Sequence, residues 1–137
     1  MKITIEATAK ATIAQVWAAW TTPEDIIKWN AASDDWHTTK STVDLREGGE
    51  FSSRMEAKDG SFGFDFAGVY KTVKEPNLLV AGFGDREMTV EFSETKNGVL
   101  IRETFDAESQ NPVEMQRAGW QAILDNFVRH VEAKAGK

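Results

Sequence analysis

The stretch from Asn111 to Val131 constrains the fold of this chain more than any other, because it reads as one long helix with a broad apolar face. Asn111 is placed to cap it, Pro112 suits its first turn, and Glu114 stands three residues past the cap. Met115, Ala118, Gly119, Ala122, Ile123, Asn126, Phe127 and Val131 recur at helical spacing, and Trp120 and Leu124 widen the stripe. Gln116, Arg117, Gln121, Asp125, Arg129 and Glu132 lie off it. A single helix cannot bury so wide a face, so a second layer must cover it.

The remainder supplies that layer. Residues Lys2 to Ala9 alternate as a first strand. Thr12 and Gln15 form a capping-box pair ahead of a helix from about Ile13 to Trp20. Thr22 and Pro23 open a second short helix with Ile26, Ile27 and Trp29 on its apolar side. Asn30 to Thr39 has no clean period and reads as a loop holding Trp36 and His37. Strands are expected near Ser41 to Leu45, around Phe51 to Met55, through Phe62, Phe64 and Phe66, at Leu78 to Phe83, through Met88, Val90 and Phe92, and from Val99 to Phe105. Turn signals at Gly48-Gly49, Asp59-Gly60, Pro76-Asn77, Gly84-Asp85 and Asn97-Gly98 separate them. Gly68 marks either a bulge or a close helix crossing. Hairpins joining successive strands imply an antiparallel sheet, hence an α+β chain. Residues Ala133 to Lys137 read as a frayed tail.

With 137 residues the chain is expected to be one domain, spanning residues 1–137, with a sizeable core. It has no cysteine, which removes disulfides, zinc thiolates and thiol nucleophiles. The net charge of -6 argues against general nucleic-acid binding. No apolar run reaches membrane-spanning length, and the start lacks a signal-peptide core, so cytoplasmic residence is expected.

Several stretches together resemble a known family. Val16 to Trp29, reading VWAAWTTPEDIIKW, is similar to the opening helical signature of the activator-of-heat-shock-90-ATPase homologue group. Val43 to Phe51, reading VDLREGGEF, resembles its next strand-turn-strand signature. Asp59-Gly60, Gly68-Val69-Tyr70 and Gly119-Trp120 follow in the family's order. The group lies within the START-like (SRPBCC, Bet v-type) superfamily. The resemblance implies a helix-grip fold, a curved antiparallel sheet around the long terminal helix with a cavity between them. Chaperone-activating members commonly carry an additional amino-terminal domain. This chain starts at its first strand, so small bacterial members are expected to match it better.

Such a cavity would draw its wall from inward-facing residues. Trp29 and Trp36 are expected near the entrance. Phe51, Met55, Phe64, Phe66, Phe83, Met88 and Val90 are expected on the sheet side, and Met115, Gly119 and Ile123 on the helix side. The same side chains suit ordinary core packing, since small-ligand pockets and cores share residue types. Glu103 is the polar exception, sharing a strand face with Val99, Ile101 and Phe105. Facing inward, it must be solvated, paired or raised in pKa; a bulge would instead turn it outward. Arg54 and the acidic pairs Glu24-Asp25 and Asp34-Asp35 read as surface.

His37 and His130 lack metal spacing, and no nucleophile elbow, phosphate loop or dinucleotide fingerprint occurs. No catalytic residue, metal or cofactor is assigned. The expected function is binding of a small apolar or amphipathic, lipid-like molecule by a monomer or weak dimer. Cyclase- or hydrolase-like chemistry in the same cavity is one alternative. Interaction with a chaperone ATPase, in a stress response, is the other.

Overall fold

A computed structural model describes residues 1–136. Strand β1 (Lys2–Ala9) leads into helices α1 (Ile13–Thr21) and α2 (Pro23–Trp29). Six strands follow: β2 (Trp36–Val43), β3 (Glu50–Ala57), β4 (Gly63–Lys74), β5 (Leu78–Phe83), β6 (Arg86–Thr95) and β7 (Gly98–Asp106). Helix α3 (Val113–Ala135) ends the chain. The seven strands form one antiparallel sheet in the order β1-β7-β6-β5-β4-β3-β2. The sheet curves into a half-barrel against α3, which is the helix-grip arrangement.

Period-two patterning sets the register. Ile3, Ile5 and Ala7 of β1 stand opposite Phe105, Glu103 and Ile101 of β7, all on the concave face. Leu79, Ala81 and Phe83 of β5, and Met88, Val90 and Phe92 of β6, continue that face. Gly68 marks neither a bulge nor a helix crossing. A Cβ there would stand 2.3 Å from the Gly82 carbonyl oxygen and 2.8 Å from the Phe51 ring, so the missing side chain lets that ring lie against the strand. The register shift in β4 falls later, between Tyr70 and Thr72. Another shift, between Thr38 and Lys40 of β2, coincides with the unpatterned segment read as a loop. That segment is already strand from Trp36, and the bulge explains why it shows no clean alternation.

Helix α1 carries the expected capping box. The Gln15 backbone N–H donates to the Thr12 hydroxyl at 3.1 Å, and the Gln15 side chain accepts from the Thr12 N–H at 2.9 Å. Thr22 precedes Pro23 but makes no side-chain cap bond. Helix α3 departs from expectation at both ends. Pro112, not Asn111, is its cap residue, and the Asn111 side chain turns back to donate to Glu108 at 3.0 Å. At the other end the helix continues through the supposed tail to Ala135, while Lys137 lies outside the described residues.

The face of α3 is also rotated from the expected stripe. Gln116, Leu124, Phe127 and Val131 are buried, with Trp120 packed beside them, whereas Met115 is 61% exposed and Ala118 is also exposed. Ala118, Gly119 and Ala122 count as apolar in a pattern but offer little area to bury. Trp120, Leu124 and Phe127 offer far more, and their burial decides the rotation.

Asp25 corrects another expectation. It is buried, not at the surface, and clamps α2 to α3. Its carboxylate meets the His130 ring at 2.8 Å and the Lys134 ammonium at 2.7 Å. Burial is the largest single influence on its pKa and pushes it up. The bonds from Lys134 and His130 together outweigh that push and hold it below the ordinary carboxylate value of 3.8. A carboxyl depressed in the folded state stabilises above its unfolded pKa and loses that contribution as pH falls through the folded one. Asp25→Ala should therefore lower stability by about 2 kcal/mol at pH 7, measured by urea denaturation. The loss should shrink as pH falls below about 3.8 and through the lower pKa of the folded Asp25 carboxyl.

Candidate functional site

Helix α3 does not meet the sheet evenly. Leu124, Phe127 and Val131 in its later half are sealed, and Phe127 packs edge-on against Trp20 and Trp29 at centroid distances of 4.8 and 5.0 Å. Trp20 also meets Phe92 at 5.7 Å, closing this end with aromatic rings. Towards its start the helix is bonded to β1, Arg117 donating to the Thr4 carbonyl at 3.0 Å and Gln121 to the Glu6 carbonyl at 3.2 Å, while its Gln116, Trp120 and Ile123 face leaves a cavity of about 360 Å³ against the rest of the sheet, within the range of small-molecule pockets.

Nine of the expected wall residues line this cavity: Trp29, Phe51, Met55, Phe64, Phe66, Met88, Val90, Glu103 and Ile123. Four lie elsewhere. Trp36 packs at the outer rim, 6.0 Å from both Phe62 and Phe64. Phe83 faces inward but sits behind the wall, 5.3 Å from Phe66 and 6.2 Å from Trp120. The rotation of α3 turns Met115 to solvent, and a Cβ on Gly119 would meet only open space.

The wall residues that the sequence reading missed include Trp20, Ile26 and Asn30 of the helical corner, residues of β2, β3 and β5, and three further kinds. Trp120 projects from α3 and stacks on Phe105 at 3.9 Å with the rings nearly parallel. Its helical spacing from Leu124 was visible, but the apolar stripe was centred elsewhere. Tyr70 shares the strand parity of Phe64 and Phe66, so alternation along β4 could have added it. The polar group Arg86, Glu108, Asn111 and Gln116 had no sequence signal. Gln116 stitches the β7-α3 connection by donating to the carbonyls of Glu108 and Asn111 at 3.1 and 2.8 Å while accepting from the Glu108 N–H at 2.8 Å. That network explains how an amide occupies the buried face of the helix.

Glu103 faces inward and is 5% exposed. It lies opposite Val90 on one side and Ile5 on the other. Among the described residues no group donates a hydrogen bond to its carboxyl and no cation stands within salt-bridge distance. Burial alone pushes its pKa from an ordinary 4.5 to about 8. Tyr70 is buried too, and desolvation pushes its phenol up to about 12. Both groups therefore keep their protons at neutral pH. Among the described residues no cluster of three or more histidine, aspartate or glutamate side chains is arranged to hold a metal, and no helix is long and apolar enough to cross a membrane.

The family model for "Activator of Hsp90 ATPase homolog 1-like protein" matches residues 10–132. The solution structure of an AHSA1-like protein from Aeromonas hydrophila is 51% identical, with a TM-score of 0.93 over 100% of this chain and 96% of that one. A protein from Cytophaga hutchinsonii is 45% identical, with a TM-score of 0.84 over 97% of this chain and 93% of that one. One from Chromobacterium violaceum is 21% identical with a TM-score of 0.86 over 96% of this chain and 98% of that one, a likeness of fold alone. A comparison with curated proteins found no match.

The Glu103 environment makes stability depend on pH with a definite sign. Between about pH 4.5 and 8 the folded state holds a proton that the unfolded chain has lost, so this residue's contribution to stability falls as pH rises through that window. Glu103→Gln removes the titration. It should leave stability near wild type at pH 4.5 and raise it by about 2–4 kcal/mol at pH 8.5. Urea denaturation of both proteins at the two pH values checks this, and parallel pH profiles would contradict it.

Proposed function

We propose that this chain, which belongs to the activator of Hsp90 ATPase homolog 1-like family, binds a small apolar or amphipathic molecule between its sheet and its terminal helix. The observation that carries this reading is the cavity of about 360 Å³ with aromatic walls and two inward polar groups, Glu103 and Tyr70. A close-packed core would fill such a volume, because each unfilled site forfeits dispersion contacts. A ligand entering it gains about 25 cal/mol for each Å² of apolar area removed from water, before ordering costs. The wall supplies no paired nucleophile and base, so binding without turnover accounts for the residues present.

A second reading draws on the family itself. The family is named for an ATPase activator homologue, so the comparisons favour a chaperone partner more directly than they favour any ligand. The exposed rim aromatics Phe62 and Phe64, beside Trp36, are the surface such a contact would use. In this reading the protein raises the ATPase rate of a purified Hsp90-type chaperone, and Phe62→Ser weakens the effect while Ile123→Trp does not.

The ligand reading predicts that NMR titration with a panel of two-ring apolar compounds gives saturable shifts at Phe66, Met88, Glu103 and Ile123, with Kd on the order of 10 μM for the best members. Ile123→Trp, which fills the cavity from the helix side, should weaken binding at least tenfold. Shifts confined to Phe62, Met115 and the outer sheet face would contradict the pocket.

A further inference from the structure

The polar atoms of the cavity wall divide into those already paired and those left over. Both carboxylate oxygens of Glu108 are taken by Asn111, from its backbone N–H at 2.6 Å and its side-chain amide at 3.0 Å. The Gln116 amide is used on both sides by the β7-α3 connection. The Trp29 indole donates to the Ala19 carbonyl at 3.0 Å. Ser41 and Ser53 stand 3.5 Å apart and share a weak bond. Among the described residues, the Glu103 carboxyl, the Tyr70 hydroxyl, the indole N–H groups of Trp20 and Trp120, the Asn30 side-chain amide and the Thr42 hydroxyl have no hydrogen-bond partner.

Among those residues, no buried side-chain nitrogen or oxygen is both sealed from solvent and unpartnered. Glu103 and Tyr70 are themselves 5% and 7% exposed, so their unpaired oxygens retain contact only with the space they line, which is the cavity. They stand on adjoining rungs of the sheet, three strands apart. Tyr70 shares a rung with Ala81, Met88 and Phe105, while Glu103 shares the adjoining same-face rung with Val90. From β4 to β7 there are three strand spacings, about 14 Å along the sheet and less across its concavity.

We infer that the cavity takes an uncharged apolar molecule carrying hydrogen-bond acceptors, such as carbonyl or ether oxygens, and that Glu103 and Tyr70 are the donors that orient it. This rests on the pocket reading above and narrows its ligand class. The leftover inventory is rich in donors: a phenol, two indoles, the Asn30 amide, the Thr42 hydroxyl and a carboxyl that burial keeps protonated. A hydrocarbon would leave all of them unpaired. A cationic amine would demand an ionised Glu103 in a site that opposes charge. Arg86 is the single basic side chain on the wall; its guanidinium lies over the Phe83 ring at 4.6 Å and donates to the Asp106 carbonyl at 3.3 Å, at the same end as the Glu108 carboxylate. With that carboxylate nearby, this end gives an anion no clear advantage.

The test compares three probes of one shape: 2-acetylnaphthalene, 2-isopropenylnaphthalene and 1-(2-naphthyl)ethylamine. Each is titrated by NMR at pH 7 into wild type, Glu103→Gln, Glu103→Leu and Tyr70→Phe. The ketone should bind wild type at least tenfold more tightly than the hydrocarbon. Glu103→Gln, whose amide still donates, should keep most of that preference. Glu103→Leu and Tyr70→Phe should each cut it severalfold, by weakening ketone binding and by relieving the cost of an unpaired donor against the hydrocarbon. Equal binding of ketone and hydrocarbon overturns the inference and leaves the pocket reading standing. Tightest binding by the amine, lost in Glu103→Gln, overturns it in favour of a carboxylate that recognises cations. Failure of every probe to bind the wild-type cavity overturns the pocket reading together with the inference.

Discussion

The uneven seating of α3 on the sheet is the constraint on which the rest depends. Its later half is anchored by Leu124, Phe127 and Val131, by the rings of Trp20 and Trp29, and by the Asp25 clamp to His130 and Lys134. Its earlier half is bonded along one edge to β1 through Arg117 and Gln121, and rests its Trp120 ring on Phe105 of β7. With one edge of the helix fixed to β1 and an indole beneath it, the space between its other edge and strands β3 to β6 stays open. The Gln116 network then holds the β7-α3 connection at the start of the helix. The cavity is thus a consequence of where the bulk lies along α3.

Two buried carboxyls show how the same physics gives opposite results. Asp25 and Glu103 both lose water on folding, and in both cases burial is the largest influence on the pKa. Asp25 finds two partners on α3 and stays ionised, so it ties helices together. Glu103 finds none and is driven towards its neutral form. A leucine at that position would pack against Val90 and Ile5 without the desolvation penalty. The carboxyl therefore works against stability at neutral pH, as groups placed for binding commonly do.

Much of this was legible in the sequence. Alternation in β1, β6 and β7 and the turns between hairpins are local signals, and each placed its element to within three residues. Strand parity offered an inward Glu103 with an outward bulge as the alternative, and the unbroken register of β7 decides between them. Where parity was interrupted, legibility ended: the bulge at Thr38/Lys40 hid the start of β2. The rotation of α3 was misjudged because alanine and glycine were counted as equal to tryptophan and leucine, while buried area weights them very differently. Burial of Asp25 and Gln116 depends on partners distant in sequence, which no local pattern records. The spacing between helix and sheet was implied only by family resemblance, since it is set by packing across the whole interface.

The account turns on Glu103 being a neutral acid in a hollow. A carboxyl-resolved ¹³C NMR titration of the unliganded protein reports that directly. The account predicts a midpoint for the Glu103 side-chain carboxyl near pH 8. A midpoint near the ordinary value of 4.5 would mean a carboxylate already solvated or paired, and would contradict both the unpaired donor and the cavity built around it.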